Sequence, residues 1–324
     1  MYNKRLLRIA FAVLTVLFLI TAQTSCSGTT KQEAAGKSLS EKVVGFSIYA
    51  TNDDYTSSVV DAFSNAMDQV GIKYKIKDAN GDVKKQISDV ENLVAENVDM
   101  IAILPLDERA IRNSLNEASD KNIPVVSITQ IPWVDVAVTI SGGDYINGKG
   151  AAKALREKLN GKGKVLVLDY SSDLARVAER MNGFSDEMKD SEIKVIGTLR
   201  TANTEETMEA VKEQLEVQPD INGIFALDSN QVIGCGAALK ALDRKDIIVT
   251  GIGSEMNTID MILDGYITAV AARFPNEHGR LMADAIHKFL KGEKYEKNYD
   301  ASFKIIDKFN AVEMAKVLYN KDIK

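Results

Sequence analysis

Residues 43–77 read VVGFSIYATNDDYTSSVVDAFSNAMDQVGIKYKIK, and their apolar pattern predicts the first unit of the fold. Residues 43–49 form the apolar run that is typical of a buried parallel strand. Residues 57–70 then predict a helix, because apolar side chains recur at helical spacing at Val59, Val60, Phe63, Met67 and Val70. The helix ends at Gly71, and residues 72–77 form the next strand. This order of elements predicts a βαβ unit with parallel strands.

The same alternation continues along the chain, in about nine βαβ units. Further strands are predicted at residues 100–104, 125–128, 136–140, 165–168, 195–199, 223–227, 247–250 and 267–271. Further helices are predicted at residues 82–97, 107–122 (with Asp107 as N-cap), 146–159, 174–188, 205–217, 231–242, 256–263 and 276–290. This number of strands is too large for one open sheet. The predicted fold is therefore α/β with two doubly wound parallel-sheet lobes. A single (β/α)8 barrel is the alternative.

The first residues predict a secretory signal rather than part of the fold. Three positive side chains, Lys4, Arg5 and Arg8, precede an uncharged run over residues 9–22. As a helix that run is roughly 21 Å long, which is short for a hydrocarbon core about 30 Å thick. A positive flank and a short apolar core predict a signal peptide over residues 1–25 and an exported protein.

Thr24, Ser25 and Cys26 follow the apolar run directly. They resemble the lipobox of bacterial lipoproteins, in which the signal is removed before a cysteine that carries lipid. The resemblance implies a lipid anchor at Cys26 in the cell envelope membrane, although Gln23 stands where that family usually has leucine. Ordinary signal cleavage nearby, with Cys26 a free or removed thiol, is the alternative. Residues 26–41 are polar and small, so they predict a tether.

The composition argues against several classes of function. The net charge is -6 without a basic stripe, so we expect no nucleic-acid partner. After Cys26 only Cys235 remains, so an internal disulfide is excluded, and His278 and His287 are too few for a zinc site. Phosphate-binding loops, dinucleotide fingerprints and the G-x-S-x-G elbow do not occur. We therefore predict no enzyme activity, no cofactor and no metal; an envelope enzyme that acts on a sugar through carboxylates is the alternative.

Short phrases appear in a specific order along the chain. They are Ile48-Tyr49, Asp53-Asp54-Tyr55, Val59-Val60, Asn122-Ile123-Pro124-Val125-Val126, Arg180 with Gly183-Phe184, Phe225-Ala226-Leu227-Asp228, Gly251-Ile252-Gly253 and Leu290-Lys291-Gly292-Glu293. In this order and spacing they resemble the periplasmic sugar-binding proteins of the ribose and galactose type. The resemblance covers residues 42 to about 309.

That resemblance implies a type I periplasmic binding protein, with two lobes joined by three crossing segments and ligand in the cleft between them. The implied boundaries are residues 42–144 plus 274–300 for the N-terminal lobe and 145–273 plus 301–324 for the C-terminal lobe. It also implies a monomer that captures a sugar, polyol or sugar derivative and delivers it to the permease of an ABC transporter. A periplasmic sensor that presents its bound state to a receptor kinase or chemoreceptor is the alternative. A related transcription repressor would need a helix-turn-helix where residues 1–41 predict a signal and a tether.

Strand ends supply the candidate ligand contacts, because loops converge at the carboxyl ends of parallel strands. By that rule alone the candidates are Asp53, Asp54, Tyr55, Thr129, Gln130, Asp228 and Arg273. The resemblance adds Arg180, and Arg176 shares its helix face. Carboxylates would accept hydrogen bonds from hydroxyls, arginines would donate them, and Tyr55 or Trp133 would cover the C–H face of a sugar ring. Alternatively, the aspartates only cap helices and the two arginines lie on a solvated face.

Four positions depart from the family pattern. Thr129-Gln130 is uncharged where such proteins carry Asp or Asn beside Arg or Lys, and Gly253 replaces an Asp. Arg273 stands where the family has Asn or Gln, and Arg176 where the galactose type has Asp. We therefore expect a cleft richer in cations. Such a cleft suits a ligand with a carboxylate, a phosphate or several carbonyl oxygens better than free ribose or galactose.

Overall fold

The computed structural model describes residues 37–170 and 175–323. The predicted signal peptide, Cys26 and residues 26–36 of the predicted tether lie outside the described residues. Within the rest of that tether, Leu39–Glu41 forms a short 3-10 turn that leads into the first strand.

The regular elements alternate as the sequence predicts. The first part of the chain contains β1 (Val43–Ile48), α1 (Asp54–Val70), β2 (Lys73–Asp78), α2 (Val83–Ala95), β3 (Met100–Leu104), α3 (Arg112–Asp120), β4 (Val125–Ile128) and β5 (Val138–Ser141). The middle part contains α4 (Asp144–Lys158), β6 (Lys162–Tyr170), α5 (Ala175–Met188), β7 (Glu192–Thr201), α6 (Thr204–Val217), β8 (Gly223–Ala226), α7 (Ser229–Ala241), β9 (Ile248–Ile252), α8 (Met256–Asp264) and β10 (Ala269–Ala272). The last part contains α9 (Pro275–Lys291), β11 (Asn298–Asp300), β12 (Lys304–Asp307) and α10 (Ala311–Tyr319).

The strands form two separate six-stranded sheets. The first has the order β11-β5-β4-β3-β1-β2, and all its neighbouring strands are parallel. The second has the order β12-β10-β9-β8-β6-β7 and is parallel except where β12 runs antiparallel to β10. Two open sheets confirm the predicted α/β fold with two doubly wound lobes and exclude the single-barrel alternative.

The chain passes between the two lobes three times. It first crosses between Ser141 and Asp144, because α4 packs against β9 and β10 of the second sheet. It returns between Ala272 and Pro275, because α9 packs against α1 of the first lobe. The last crossing joins β11 to β12. The lobe boundaries given above stay a prediction.

Each lobe has apolar layers on both faces of its sheet. All five residues of β3 are buried, which explains why the strand is a continuous apolar run rather than an alternating one. In the first lobe the ring centroids of Phe46 and Phe63 lie 4.8 Å apart, and in the second those of Phe184 and Phe225 lie 4.4 Å apart. Burying one such side chain contributes about 1.5–3 kcal/mol to the free energy of unfolding.

Two parts of the chain differ from the sequence prediction. Helix α3 begins at Arg112 rather than beside Asp107. Asp107 Oδ1 instead accepts from the backbone N–H of Arg109 and of Ala110, at 2.8 and 2.9 Å, and so closes a separate turn before the helix. The strands β11 and β12 and helix α10 were not predicted; the two strands have only three and four residues and lie at sheet edges, so they carry little of the apolar pattern of a buried strand.

Candidate ligand-binding cleft

A cleft of about 650 Å³ lies between the two lobes, where strands of both sheets end. Its walls come from the segments after β1, β3 and β4 in the first lobe and after β6, β8, β9 and β10 in the second. A position at the carboxyl ends of parallel strands is where α/β proteins bind ligands. The volume lies within the range of small-molecule sites.

The cleft brings together most of the predicted ligand contacts. The predicted residues that line it are Asp53, Asp54, Tyr55, Thr129, Arg176, Arg180, Asp228 and Arg273. Gln130 and Trp133 do not line this cleft. The chain turns sharply at Thr129, where φ is 90°, and Gln130 beyond the turn is exposed. Trp133 lines a smaller cavity beside the cleft, so we leave both residues out of the proposed main site.

Arg180 is buried at the floor of the cleft, with only 4% of its surface exposed. Its Nε donates to Asp144 Oδ1 at 2.8 Å, and its Nη1 donates to the backbone oxygen of Leu227 at 2.7 Å. Asp144 begins α4 at the first crossing, and Leu227 follows β8. Arg180 therefore connects α5 both to a crossing segment and to a strand end, and it does not lie on a solvated face.

Arg273 follows β10 and stacks on an aromatic ring from the other lobe. Its guanidinium carbon lies 3.9 Å from the ring centroid of Tyr55, which is a cation–π contact. Its Nη2 donates to Glu255 Oε1 at 2.6 Å and to Ser229 Oγ at 3.2 Å. The buried Nε has no hydrogen-bond partner among the described residues. The guanidinium group of Arg273 is therefore held by its Nη2 hydrogen bonds and by Tyr55, and its hydrogen-bonding capacity is not used up by these contacts.

Burial and charge set the ionisation of these groups. Burial raises the pKa of Tyr55 to about 12, so its hydroxyl stays neutral at physiological pH. Burial is the largest single effect on Glu255 and favours its neutral form, but the charge of Arg273 together with hydrogen bonds from Ser229 and the backbone outweighs burial and holds the pKa of Glu255 below its usual value. Glu255 and Arg273 therefore form a charged pair in the wall of the cleft.

Arg176 and Glu108 form an ion pair that joins the two lobes. Arg176 Nη1 on α5 donates to Glu108 Oε1 at 2.5 Å, and Glu108 lies in the turn after β3 of the first lobe. Only 1% of Glu108 is exposed, and its second oxygen, Oε2, finds no hydrogen-bond partner among the described residues. No local pattern in the sequence singles out Glu108, because its burial depends on its partner Arg176, which lies far along the chain.

The three arginines of the cleft are all paired, which changes the expectation drawn from the sequence. Arg176 pairs with Glu108, Arg180 with Asp144 and Arg273 with Glu255. Carboxylates that line the cleft outnumber guanidinium groups, at Asp53, Asp54, Asp144, Asp228 and Glu255. The cleft is thus not rich in uncompensated cations, and its charges do not favour an anionic ligand.

Two of the aspartates also cap helices. Asp53 Oδ1 accepts from Thr56 N at 2.7 Å at the start of α1, and Asp228 Oδ1 accepts from Gln231 N at 3.0 Å at the start of α7. Each cap uses one carboxylate oxygen, so the capping role does not exclude a ligand contact. Burial raises the pKa of Asp228 above its usual value. Asp54 forms an exposed ion pair with Lys321 beyond α10, with Nζ to Oδ1 at 3.2 Å.

Residues 37–170 and 175–323 contain no group of three or more His, Cys, Asp or Glu side chains placed to hold a metal ion. Over the same residues, no helix is both long enough and apolar enough to cross a membrane.

Two α/β lobes, three crossings and a polar cleft at the strand ends define the class of two-lobed solute-binding proteins. The chain belongs to the periplasmic binding protein family, whose domain model matches residues 44–294. The family predicted from the ordered phrases is thereby confirmed.

Individual relatives agree with this assignment. The chain is similar to the ribose import binding protein of Bacillus subtilis (strain 168), at 30% identity over 297 residues that cover 89% of this chain and 95% of the relative. A carbohydrate transporter solute binding protein from Agrobacterium radiobacter, solved in complex with D-arabinose, shares the fold at a TM-score of 0.80 and 22% identity, covering 87% of this chain and 100% of that one. A solute binding protein from Bacillus halodurans C-125, solved with bound myo-inositol, shares it at a TM-score of 0.78 and 20% identity, covering 85% and 98%.

Proposed function

We propose that this protein is an extracytoplasmic binding protein that captures a neutral sugar or polyol between its lobes and delivers it to the permease of an ABC transporter. The observation that carries the proposal is the chemistry of the cleft: paired carboxylates and arginines beside the face of Tyr55. A hydroxyl both donates and accepts, so it fits alternating acceptors and donors without needing a net charge in the wall. The ring of Tyr55 is itself 4% exposed and stacked on Arg273, so the proposal rests on the polar groups of the cleft rather than on stacking.

The relatives support the same ligand class. The proteins named above are a ribose import binding protein and two solute-binding proteins solved with D-arabinose and myo-inositol. All three compounds are uncharged and rich in hydroxyls. The ion-paired arginines of this cleft fit such a ligand better than the anionic ligand expected from the sequence. The related proteins are named for binding and import, which supports a role without catalysis.

The ligand can be identified from the protein itself. We expect mass spectrometry of small molecules released from denatured, freshly purified protein to find a neutral sugar or polyol. Calorimetry with that compound should then give one site per chain, and unfolding in its presence should move to higher temperature as mass action requires. Release of only anionic or aromatic compounds, with no response to any neutral sugar, would contradict the proposal.

We also propose that the chain is held at the membrane by lipid on Cys26, which rests on Thr24, Ser25 and the preceding apolar run. Cys26→Ala should then move the protein from the membrane fraction to the soluble fraction without changing its melting temperature. A single acyl chain gives only marginal membrane binding, so stable anchoring requires more than one chain on the mature terminus. An unchanged distribution between the two fractions would show that Cys26 carries no anchor.

A further inference from the structure

A second cavity of about 400 Å³ lies beside the main cleft. Like the cleft, it is lined from both lobes: Pro132 and Trp133 come from the loop after β4, and Val177 and Met181 from α5. Tyr170 lines the main cleft as well as this side cavity, so the two spaces are neighbours. The described walls of the side cavity are more apolar than those of the main cleft.

Trp133 is held at the side cavity in an unusual conformation. Its φ is 63°, in the left-handed region that non-glycine residues rarely adopt, and 72% of its surface is exposed. Backbone strain of this kind persists where the surrounding structure holds it in place and is concentrated at binding sites. The guanidinium carbon of Arg112 lies 5.7 Å from the centroid of the indole ring. The indole ring of Trp133 thus lies exposed at the side cavity rather than packed in a core.

Glu108 supplies an independent observation that points to a ligand. Its carboxylate lines the side cavity and uses Oε1 for the ion pair with Arg176. Its Oε2 is buried and has no hydrogen-bond partner among the described residues. A buried oxygen without a partner is costly, so a hydroxyl group brought there by a ligand would relieve the cost. Arg176 lines the main cleft, so the ion pair lies between the two spaces.

We propose that the side cavity is a second subsite for a two-ring ligand, a glycoside or a disaccharide, whose first ring occupies the main cleft. The second ring lies against Trp133, and a hydroxyl of the ligand donates to Glu108 Oε2. Apolar side chains of α5 complete the enclosure when the lobes close. This inference rests on the proposed function, because it assumes that a sugar ring binds in the main cleft.

The test compares single-ring with two-ring probes on the whole mature protein. The single-ring probes are D-ribose, D-glucose, D-galactose and myo-inositol, and the two-ring probes are both anomers of the phenyl glycosides of the three sugars. Calorimetry should show that at least one phenyl glycoside binds about tenfold or more tightly than its parent sugar, as an added buried aromatic ring allows.

Two variants locate that gain. Ala178→Trp, at an exposed position of α5 that lines only the side cavity, should fill the subsite and abolish the gain while leaving binding of the parent sugar unchanged. Trp133→Ala should reduce the gain by removing the ring surface. Ala241→Trp, at the exposed end of α7 and lining neither cavity, is the matched control and should keep the full gain.

The outcomes separate the two proposals. If single-ring probes bind and no phenyl glycoside binds more tightly, or if Ala178→Trp keeps the gain, the second subsite is wrong and the proposed function stands. If no probe of either kind binds and the purified protein releases no neutral sugar or polyol, the proposed sugar-binding function is wrong, and the subsite inference fails with it.

Discussion

Paired arginines give the cleft a fixed geometry before ligand arrives. Arg180 is held by Asp144 and by the Leu227 carbonyl, and Arg273 by Glu255 and the face of Tyr55. Because these partners are buried or largely enclosed, each guanidinium group has one preferred orientation, and little side-chain entropy remains to be lost on binding. The same contacts make the arginines part of the folded structure, whereas the sequence predicted them as ligand contacts.

Arg180→Ala should therefore destabilise the ligand-free protein. Removing one partner of a buried ion pair leaves Asp144 without its counter-charge, at a cost of about 3–5 kcal/mol in the free energy of unfolding. Urea unfolding without ligand measures the change. Arg200→Ala is a matched control, because Arg200 forms an exposed pair with Asp169 and should cost at most about 1 kcal/mol. Equal losses in the two variants would mean that Arg180 acts only on the ligand.

His278 should make the protein less stable in mild acid. Burial lowers the pKa of His278 to about 4, whereas an unfolded chain leaves histidine near about 6.5. Between those values the unfolded state binds more protons, so stability from neutral His278 is present above about pH 6.5 and is lost as the pH falls toward about 4. The loss is roughly 3 kcal/mol for a shift of this size.

The measurement is the free energy of unfolding from about pH 7 to about pH 4 in the wild type and in His278→Gln, which cannot titrate there. Over this range, we expect the free energy of unfolding of the wild type to fall by roughly 3 kcal/mol more than that of His278→Gln. His287→Gln, on the same helix α9, is the control. Parallel curves for the wild type and His278→Gln would show that His278 does not stay neutral in the folded state.

For single residues of the cleft, the sequence predicted the positions at strand ends but not the side chains that pair with them. Asp53, Tyr55, Asp228 and Arg273 were predicted because each follows an apolar strand, and a parallel sheet carries such positions to one edge. Glu108 and Glu255 were not singled out. Their contacts with Arg176 and Arg273 join segments that are distant in sequence, and no local pattern encodes such a pair.

The helix pair α4 and α5 positions two of the three cleft arginines, Arg176 and Arg180. The two helices approach closely at glycines: a Cβ on Gly183 would overlap the Tyr145 carbonyl oxygen, and a Cβ on Gly148 would overlap that of Arg180. Close contact of the two backbones leaves no room for a side chain between them. The position of Arg176 and Arg180 relative to the first crossing thus depends on these glycines.

Gly183→Ala should destabilise the protein and weaken ligand binding together. The added methyl group must push α5 away from α4, which costs about 1–3 kcal/mol and displaces the arginines from the cleft. Thermal unfolding and calorimetry on the same samples measure both effects. Gly197→Ala in β7 is the control, since its Cβ would lie an ordinary 3.4 Å from Leu166 Cδ1. Unchanged binding in a destabilised Gly183→Ala would separate the helix contact from the site.

Helices and central strands were predicted more closely than the last elements. A period of 3.6 residues and a continuous apolar run are strong local signals, so α9 and β3 match their predicted bounds within a residue or two. The strands β11 and β12 lie at sheet edges and bury little, so neither signal is present. Their place depends on pairing with β5 and β10, which are distant in the sequence.

At the scale of the whole molecule, contacts away from the crossings hold the two lobes together. The Glu108–Arg176 pair and the Asp54–Lys321 pair both join residues of the first lobe to residues of the second. The Glu108–Arg176 pair is the more buried of the two, with Glu108 enclosed and Arg176 a quarter exposed. Such contacts bias the equilibrium between open and closed lobes before ligand binds.

Glu108→Gln should shift the ligand-free protein toward the open state. The substitution keeps the shape of the side chain but removes the charge that Arg176 pairs with. Small-angle scattering should show a larger radius of gyration without ligand and the wild-type value when the ligand released from the purified protein is saturating. The apparent affinity for the ligand should fall about threefold to tenfold, because it is proportional to the fraction of protein that is closed before ligand binds. Identical scattering curves for the two ligand-free proteins would exclude this role of the pair.

The split course of the chain also sets the order in which the protein can fold. The edge strand β11 lies beside β5, so the first sheet is complete only after the chain has passed through the whole second sheet as far as β10. During synthesis from the N-terminus, the first lobe is therefore completed only near the end of the chain. The pairing of β11 with β5 closes a very long loop, so we expect it to be slow. A nascent chain that stops before residue 298 has neither β11 nor β12, so both sheets present an unpaired edge to any neighbour. Until these last strands have been made, we therefore expect the nascent chain to be incompletely folded and prone to aggregation.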